Sequence, residues 1–401
     1  MYGLVLEGGG AKGSYHVGAY KAILELGIDI GIIAGTSIGA VNGAGFAQGD
    51  YEKVYELWSN IKNSSVFDVE DKQIEKLKQF DIDKVSFEYF TNKVKSVILK
   101  GGLDTSVMRN LLENTLDEEK LRNSDIDFAL VTVSVTDFKP MEIYIDDIPK
   151  GKLIDYVMAS ASFPGFKTGQ IDGKIFIDGG IYNNLPINLV SNKGYNKIIA
   201  VRTYGVGVEK NFKLPENVEY IVIEPNEDLG KTLDFDDDVA KYNIKLGYYD
   251  AMKVLTKLSG KKYYIKNNIS NDMFFKTLVE VDEDKIIRIM EYLGEKRNME
   301  PRRYFFEILI PKLVNWLELD DNVSYKNIII ALYEMLADYL QLERFKIYSY
   351  VDFKNFIEEE LKKIKLIELD VVSNFMIQFD LLRQNKKEEM MVYIGRVLLD
   401  I

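Results

Sequence analysis

Gly35-Thr36-Ser37-Ile38-Gly39 decides the fold. G-x-S-x-G is the pattern of a strand that turns sharply into a helix and lifts a serine hydroxyl clear of the backbone. The flanks agree: Asp29 to Ala34 reads as a short buried strand, and Ala40 to Ala44 as the start of a helix. The glycines allow the tight turn and let other backbone come close to the serine. A nucleophilic serine is normally paired with histidine, yet the chain has a single one, His16. An aspartate-based solution therefore comes first.

Working outward, Tyr2 to Glu7 is another short apolar strand, followed at once by Gly8-Gly9-Gly10-Ala11-Lys12-Gly13. Ser14 to Leu26 then carries apolar residues near helical spacing and stops at Gly27. Two strand–helix units in so short a span predict an α/β fold with a parallel sheet. Asp50 to Leu116 is charged and helical in pattern, with an insertion-like middle. Further strands are expected at Phe128–Val135, Met141–Ile145, Lys174–Ile177, Lys197–Val201 and Tyr220–Ile223, and a helix at Val239–Leu258.

Past Lys262 the strand signals fade, and an all-α C-terminal domain over 265–401 is expected. Its helices read as Asp282–Leu293, then Tyr304–Leu317 broken or kinked at Pro311, then one capped by Ser324 and running to Leu340. Two more are expected, one from Asp352 to near Ile364 and one starting at Asp370. The aromatic stretches Tyr304-Phe305-Phe306 and Tyr339–Tyr350 read first as bundle core. The other readings are a lid, a dimer surface or a transient membrane-surface contact.

Composition narrows the function. The 401 residues carry a net charge of −12, which argues against nucleic acid as a partner. With no cysteine there is no thiol nucleophile, disulfide or zinc–thiolate site. Met1 runs directly into the first strand, so no signal peptide is expected, and a cytoplasmic location follows as an expectation. Ile30 to Gln48 is uncharged, with glycines spaced by four, but it is too glycine-rich for a membrane span.

Acyl transfer needs a nucleophile, a proton acceptor and donors for an oxyanion. Ser37 supplies the first, and bare amides at Gly8-Gly9-Gly10 can supply the third, with Lys12 adding positive charge. Gly8 to Gly13 is also G-x-G-x-x-G, the dinucleotide pattern. The acidic residue which that reading needs after the second strand is missing, and the elbow stands there instead. For the acceptor, His16 lies on an apolar helix and reads as a packing residue. Asp178, at the end of a short strand before two glycines, is the stronger candidate, although Asp178-Gly179-Gly180 reads equally as a turn.

Taken together, Gly8 to Gly13, Gly35 to Gly39 and Asp178-Gly179-Gly180, in that order, resemble the patatin-like phospholipase family. Ala159-Ser160-Ala161-Ser162-Phe163-Pro164 and Asn184-Leu185-Pro186 resemble smaller pieces of it. The resemblance covers residues 1–260 and implies a three-layer sheet with helices on both faces, forming an acyl hydrolase domain. It implies Ser37 as nucleophile and Asp178 as base of a Ser–Asp dyad. Gly8, Gly9, Gly10, Ala11 and Lys12 would form the oxyanion hole, and His16 lies outside the dyad where many members carry histidine. It further implies a lipid or lysophospholipid substrate, an acyl-enzyme, and no metal or cofactor. Two alternatives stay open: a transacylase with the same dyad, and a non-catalytic lipid- or partner-binding module.

Overall fold

Five strands form the parallel centre of an eight-stranded sheet: β1 (Tyr2–Leu6), β2 (Ile30–Thr36), β3 (Asp127–Ser134), β7 (Lys197–Val201) and β8 (Glu219–Ile223). Their order is β3-β2-β1-β7-β8. Three antiparallel strands gather at β3, namely β4 (Lys139–Tyr144), β6 (Lys174–Asp178) and, beyond β6, the two-residue β5 (Gln170–Ile171). This is a computed structural model; it describes residues 1–66, 104–163, 170–295, 298–320, 322–364 and 384–399.

The central strands are apolar on both faces because both faces are covered. Val5, Ile32, Ala34, Ala129, Val131, Ile198 and Ala200 pack against Leu185, Leu189 and Val190 at and before the helix Ile187–Asn192. The opposite face, with Leu6, Ile33 and Phe128, lies under α2 (Ile38–Ala47), where Gly43 sits directly on those three side chains. Behind it, α1 (Ser14–Glu25) packs closely on the long helix Asp237–Thr256. At Gly18 any Cβ would lie 1.8 Å from the Ile244 carbonyl, so the two helix backbones nearly touch. These are the expected three layers.

The chain divides into two compact units, Met1–Thr256 and Lys257–Ile401. The second is helical, with helices at Asn271–Val279, Glu283–Tyr292, Pro301–Trp316, Tyr325–Tyr339, Tyr350–Lys363 and Gln384–Leu399. Tyr304, Phe305 and Tyr348 are buried in its core, among Ile286, Leu313 and Phe353. It also contains a feature that the expectation of helices alone did not include. Tyr264–Lys266 and Ile347–Ser349 pair as two short parallel strands, each too brief to leave a period in the sequence.

The expected break at Pro311 takes the form of a π turn over Phe305–Leu309, just ahead of the proline. Proline has no N–H to return to the preceding turn, and the wider turn absorbs the mismatch. The helix expected to start at Asp352 begins at Tyr350, because Ser349 is the N-cap. Ser349 Oγ accepts from the Asp352 amide and donates to the Asp352 carboxylate at 2.6 Å. Ser324 caps its helix as expected, accepting from the Asn327 amide. The helix expected from Asp370, most of the insertion-like middle after Asp50, and Pro164 fall outside the described residues. No helix among the described residues is long and apolar enough to cross a membrane.

Candidate active site

Strand β3 brings the two key side chains together. One of its edges is taken by β4 over Ala129–Ser134. The other edge is shared end to end by two strands running in opposite directions. Parallel β2 reaches Thr36 opposite Val131, and antiparallel β6 reaches Asp178 opposite Thr132. Two chain ends separated by 141 residues in sequence thus meet on consecutive positions of one strand. Two threonine hydroxyls pin the junction, Thr36 to the Asn183 carbonyl (2.8 Å) and Thr132 to the Ile177 carbonyl (3.0 Å). One residue past Thr36, Ser37 Oγ donates to Asp178 Oδ2 at 2.6 Å.

Ser37 is held in a strained backbone, with φ +56° and ψ −127°, a conformation that a non-glycine residue keeps only when its surroundings impose it. Close packing imposes it here. A Cβ at Gly35 would lie 2.2 Å from the Gly39 carbonyl, and one at Gly39 would lie 2.2 Å from the Leu6 carbonyl. The Ser37 amide donates to Ser160 Oγ (3.0 Å), which in turn donates to the Val131 carbonyl (2.7 Å). Buried Ser160 therefore ties the elbow to β3. The sequence placed Ser160 in a small-residue segment without giving it this part. The signal was a hydroxyl at the end of the helix Leu153–Ser160, where alanine would have suited packing alone.

Asp178 is buried, and loss of solvent pushes its pKa up to about 6, against the hydrogen bonds from Ser37 and the Gly180 amide that hold it down. Its Oδ1 accepts from that amide at 2.7 Å, so each carboxylate oxygen has a partner and the group is oriented. His16 has a different role. It is fully buried, and desolvation pushes its pKa down to about 3, so the ring is neutral. Trp58 Nε1–H donates to Asn42 Oδ1, which fixes the amide, so Asn42 Nδ2 donates to the Gly13 carbonyl and to His16 Nδ1. The proton of His16 is then on Nε2. The ring bonds Asn42 and makes no bond to Ser37 or Asp178, in keeping with a packing residue.

The glycine loop lies against the elbow, since a Cβ on Gly8 would stand 3.1 Å from the Ser37 Cβ. Its amides are not equivalent. Gly8 donates to the Asn184 carbonyl (3.1 Å), Ala11 to the Thr232 carbonyl (2.8 Å) and Lys12 to the Gly9 carbonyl (3.2 Å). Among the described residues the Gly9 and Gly10 amides have no such acceptor, and both residues line the same cleft as Ser37 and Asp178. Gly10 is at φ +56°, and a Cβ there would lie 2.1 Å from the Thr232 carbonyl, so only glycine fits. The Lys12 ammonium donates to the Tyr204 carbonyl at 3.4 Å. Buried Glu7 accepts from the Thr203 and Tyr204 amides, and Thr203 Oγ1 donates to the Gly8 carbonyl, which clamps the loop from below.

A cleft opens to solvent beside Ser37 and Asp178. Its wall is mostly hydrocarbon, including Val41, Leu57, Trp58, Met108, Leu112 and Phe235, and the sequence had marked none of these as a binding surface. Among the described residues no group of three or more His, Asp or Glu side chains is arranged to hold a metal ion. The Ser160 bridge gives a direct test. Ser160→Ala leaves the Ser37 amide without its acceptor, and chemical denaturation should show a loss of about 1–3 kcal/mol. An unchanged midpoint would mean that the bridge contributes no stability.

Residues 4–190 match the model of the patatin-like phospholipases. Patatin-like phospholipase domain-containing protein 7 of Rattus norvegicus is 31% identical over 205 residues, which is 49% of this chain and 13% of that protein. Neuropathy target esterase sws of Drosophila melanogaster is 28% identical over 203 residues, 50% of this chain and 12% of that protein. The matches thus span about an eighth of these relatives. Among solved structures, VipD from Legionella pneumophila aligns with a TM-score of 0.39 and 14% identity, covering 99% of this chain and 91% of that one. Residues 4–190 of this chain are a patatin-like phospholipase domain.

Proposed function

We propose that this protein hydrolyses acyl esters of lipids, of the phospholipase A or lysophospholipase type, through an acyl-enzyme on Ser37 with Asp178 as the base. The observation that carries the reading is the 2.6 Å hydrogen bond from Ser37 Oγ to Asp178 Oδ2 at the edge of an apolar cleft. In the first step Oγ attacks the ester carbonyl while its proton passes to Asp178, giving a tetrahedral oxyanion. The Gly9 and Gly10 amides are the donors available to that oxyanion, and removal of one such donor typically costs about 10²–10³ in turnover. Collapse expels the alcohol, which takes the proton back from Asp178 and leaves the acyl group on Ser37. Water then repeats the sequence, with Asp178 again as base, and releases the fatty acid.

A free aspartate, with a pKa near ~3.9, is a poor match for this task at neutral pH. Burial brings Asp178 to about 6, nearer the operating range of a general base. The helix α2, with Ser37 as its N-cap residue, adds the positive end of its dipole where negative charge develops.

Two expectations follow for activity. Ser37→Ala and Asp178→Ala should each abolish turnover of a phospholipid or a soluble ester. His16→Ala should keep most turnover per folded molecule and lose stability. Full activity in Asp178→Ala would overturn the dyad. Because the base must be ionised, kcat/KM should fall on the acid side with an apparent pKa of about 6. A limb near 4 would contradict the burial argument.

A third expectation concerns stability. The native carboxyl titrates near 6 and the unfolded one near 3.8, so between these values the native state holds a proton that the unfolded chain has lost. Native stability falls through that window, and the full cost is present above it. Asp178→Asn should therefore be more stable than the parent protein at pH 8, by roughly 1–3 kcal/mol, with the difference gone below pH ~4. Urea denaturation at the two pH values measures it, and a variant less stable at pH 8 would refute the sign.

A further inference from the structure

Sheet register brings Gly8 and Thr203 side by side. Strands β1 and β7 run parallel with Leu6 opposite Val201, and each chain leaves the sheet just beyond that pair. Gly8 and Thr203 lie two residues past it on adjacent exits, although they are 195 positions apart in sequence. There the buried Thr203 hydroxyl donates to the Gly8 carbonyl at 2.7 Å. A trans peptide unit is planar, so its C=O and its N–H point in opposite directions. Holding the Gly8 carbonyl on Thr203 therefore aims the Gly9 N–H away from Thr203, and Gly9 lines the cleft together with Ser37. We propose that Thr203 is a positioning residue of the oxyanion hole, which keeps the Gly9 amide in line for the oxyanion formed on Ser37. The proposal rests on the reading of Ser37 given above, and Thr203 lies beyond the family match at residues 4–190.

The hydroxyl is itself firmly held. The Thr203 amide donates to Glu7 Oε2 at 2.7 Å, the Tyr204 amide donates to the same oxygen at 3.0 Å, and the Arg202 guanidinium lies 3.5 Å from Glu7 Oε1. A β-branched side chain has few χ1 choices, so a fixed backbone fixes Oγ1 as well. Packing leaves no room for water between the two segments. A Cβ on Gly9 would lie 2.5 Å from Thr203 Oγ1, and one on Gly205 would lie 2.1 Å from the Gly8 carbonyl. The other bond to that carbonyl, from Asn184 Nδ2, is long at 3.4 Å, and Asn184 Nδ2 also serves the Gly205 carbonyl at 3.2 Å. The Gly10 amide has a different support. The Gly9 carbonyl accepts from the Lys12 amide at 3.2 Å within the loop's own turn, which sets the Gly10 N–H locally. Of the two unengaged amides, Gly9 is the one whose direction is set by a side chain from another strand's exit.

Thr203→Val keeps the shape and removes the hydroxyl, whereas Thr203→Ser keeps the hydroxyl. On 4-nitrophenyl butyrate the valine variant should lose about ten- to a hundred-fold in kcat and in kcat/KM alike, less than the loss of a whole donor. The serine variant should recover most of it. An alkyl trifluoromethyl ketone gives the readout that a merely structural role would not move. Ser37 Oγ adds to its carbonyl carbon, the proton passes to Asp178, and the carbonyl electron pair becomes an oxyanion. Affinity for the ketone should fall in Thr203→Val by the same factor as kcat/KM. Affinity for the matching trifluoromethyl alcohol, which forms no oxyanion, should not change. The proposal is overturned by a folded valine variant with wild-type kcat, by equal losses for ketone and alcohol, or by a serine variant as impaired as the valine one. Should the valine variant not fold, wild-type protein carrying isotope-labelled glycine decides by NMR. Binding of the ketone should move the Gly9 amide proton downfield, and an unmoved Gly9 signal overturns the proposal. Wild-type protein no more active than Ser37→Ala overturns the reading of Ser37, and the proposal with it.

Discussion

The site depends on one constraint of sheet topology: two strands must end head to head on a single edge of β3. Parallel β2 stops at Thr36, antiparallel β6 stops at Asp178, and Val131 and Thr132 set their separation. Hydrogen-bond register moves in whole residues, so this placement cannot drift gradually. A slip of either strand would carry its side chains to the other face and part the serine from the carboxylate. The positive φ of Ser37, the glycines that fit against Leu6 and the elbow itself, and the Ser160 bridge all serve that junction.

In the proposed mechanism, burial at the junction trades stability for chemistry. Asp178 has two hydrogen bonds, yet desolvation dominates and raises its pKa to about 6. A surface carboxylate would be more comfortable and a worse base. The neighbouring histidine shows the same force acting in the opposite sense. His16, fully enclosed and bonded to Asn42, is held neutral, while Asn42 itself ties the end of the glycine loop to α2 through the Gly13 carbonyl. Polar groups on both sides of Ser37 are thus fixed before any substrate arrives, which is what electrostatic preorganisation requires.

Much of this was legible in the sequence, because elbow, glycine loop and D-G-G each announce a local backbone geometry. Strands such as Lys197–Val201 and, to within a residue of its observed end at Asp178, Lys174–Ile177 were readable from short apolar runs bounded by turn residues. What the sequence could not show is partner choice. Gly8 to Lys12 look alike as donors, and only the carbonyls of Asn184 and Thr232 reveal which amides are already engaged. Those carbonyls lie far along the chain, and the Thr232 segment is beyond the family match. The helical pattern between Asp50 and Leu116 was legible, but such a pattern does not say which side chains line a cleft. The three-residue strands Tyr264–Lys266 and Ile347–Ser349 are too short to register at all.

The central claim is that an activated alcohol and an ionised carboxylate act as one unit beside two unengaged amides. Mapping the adduct of a fluorophosphonate ester by mass spectrometry tests it most directly. The account places the phosphonyl group on Ser37 alone, with labelling that slows as pH drops below about 6 and is lost in Asp178→Asn. A label on any other residue, or undiminished labelling of Ser37 in that variant, would contradict it.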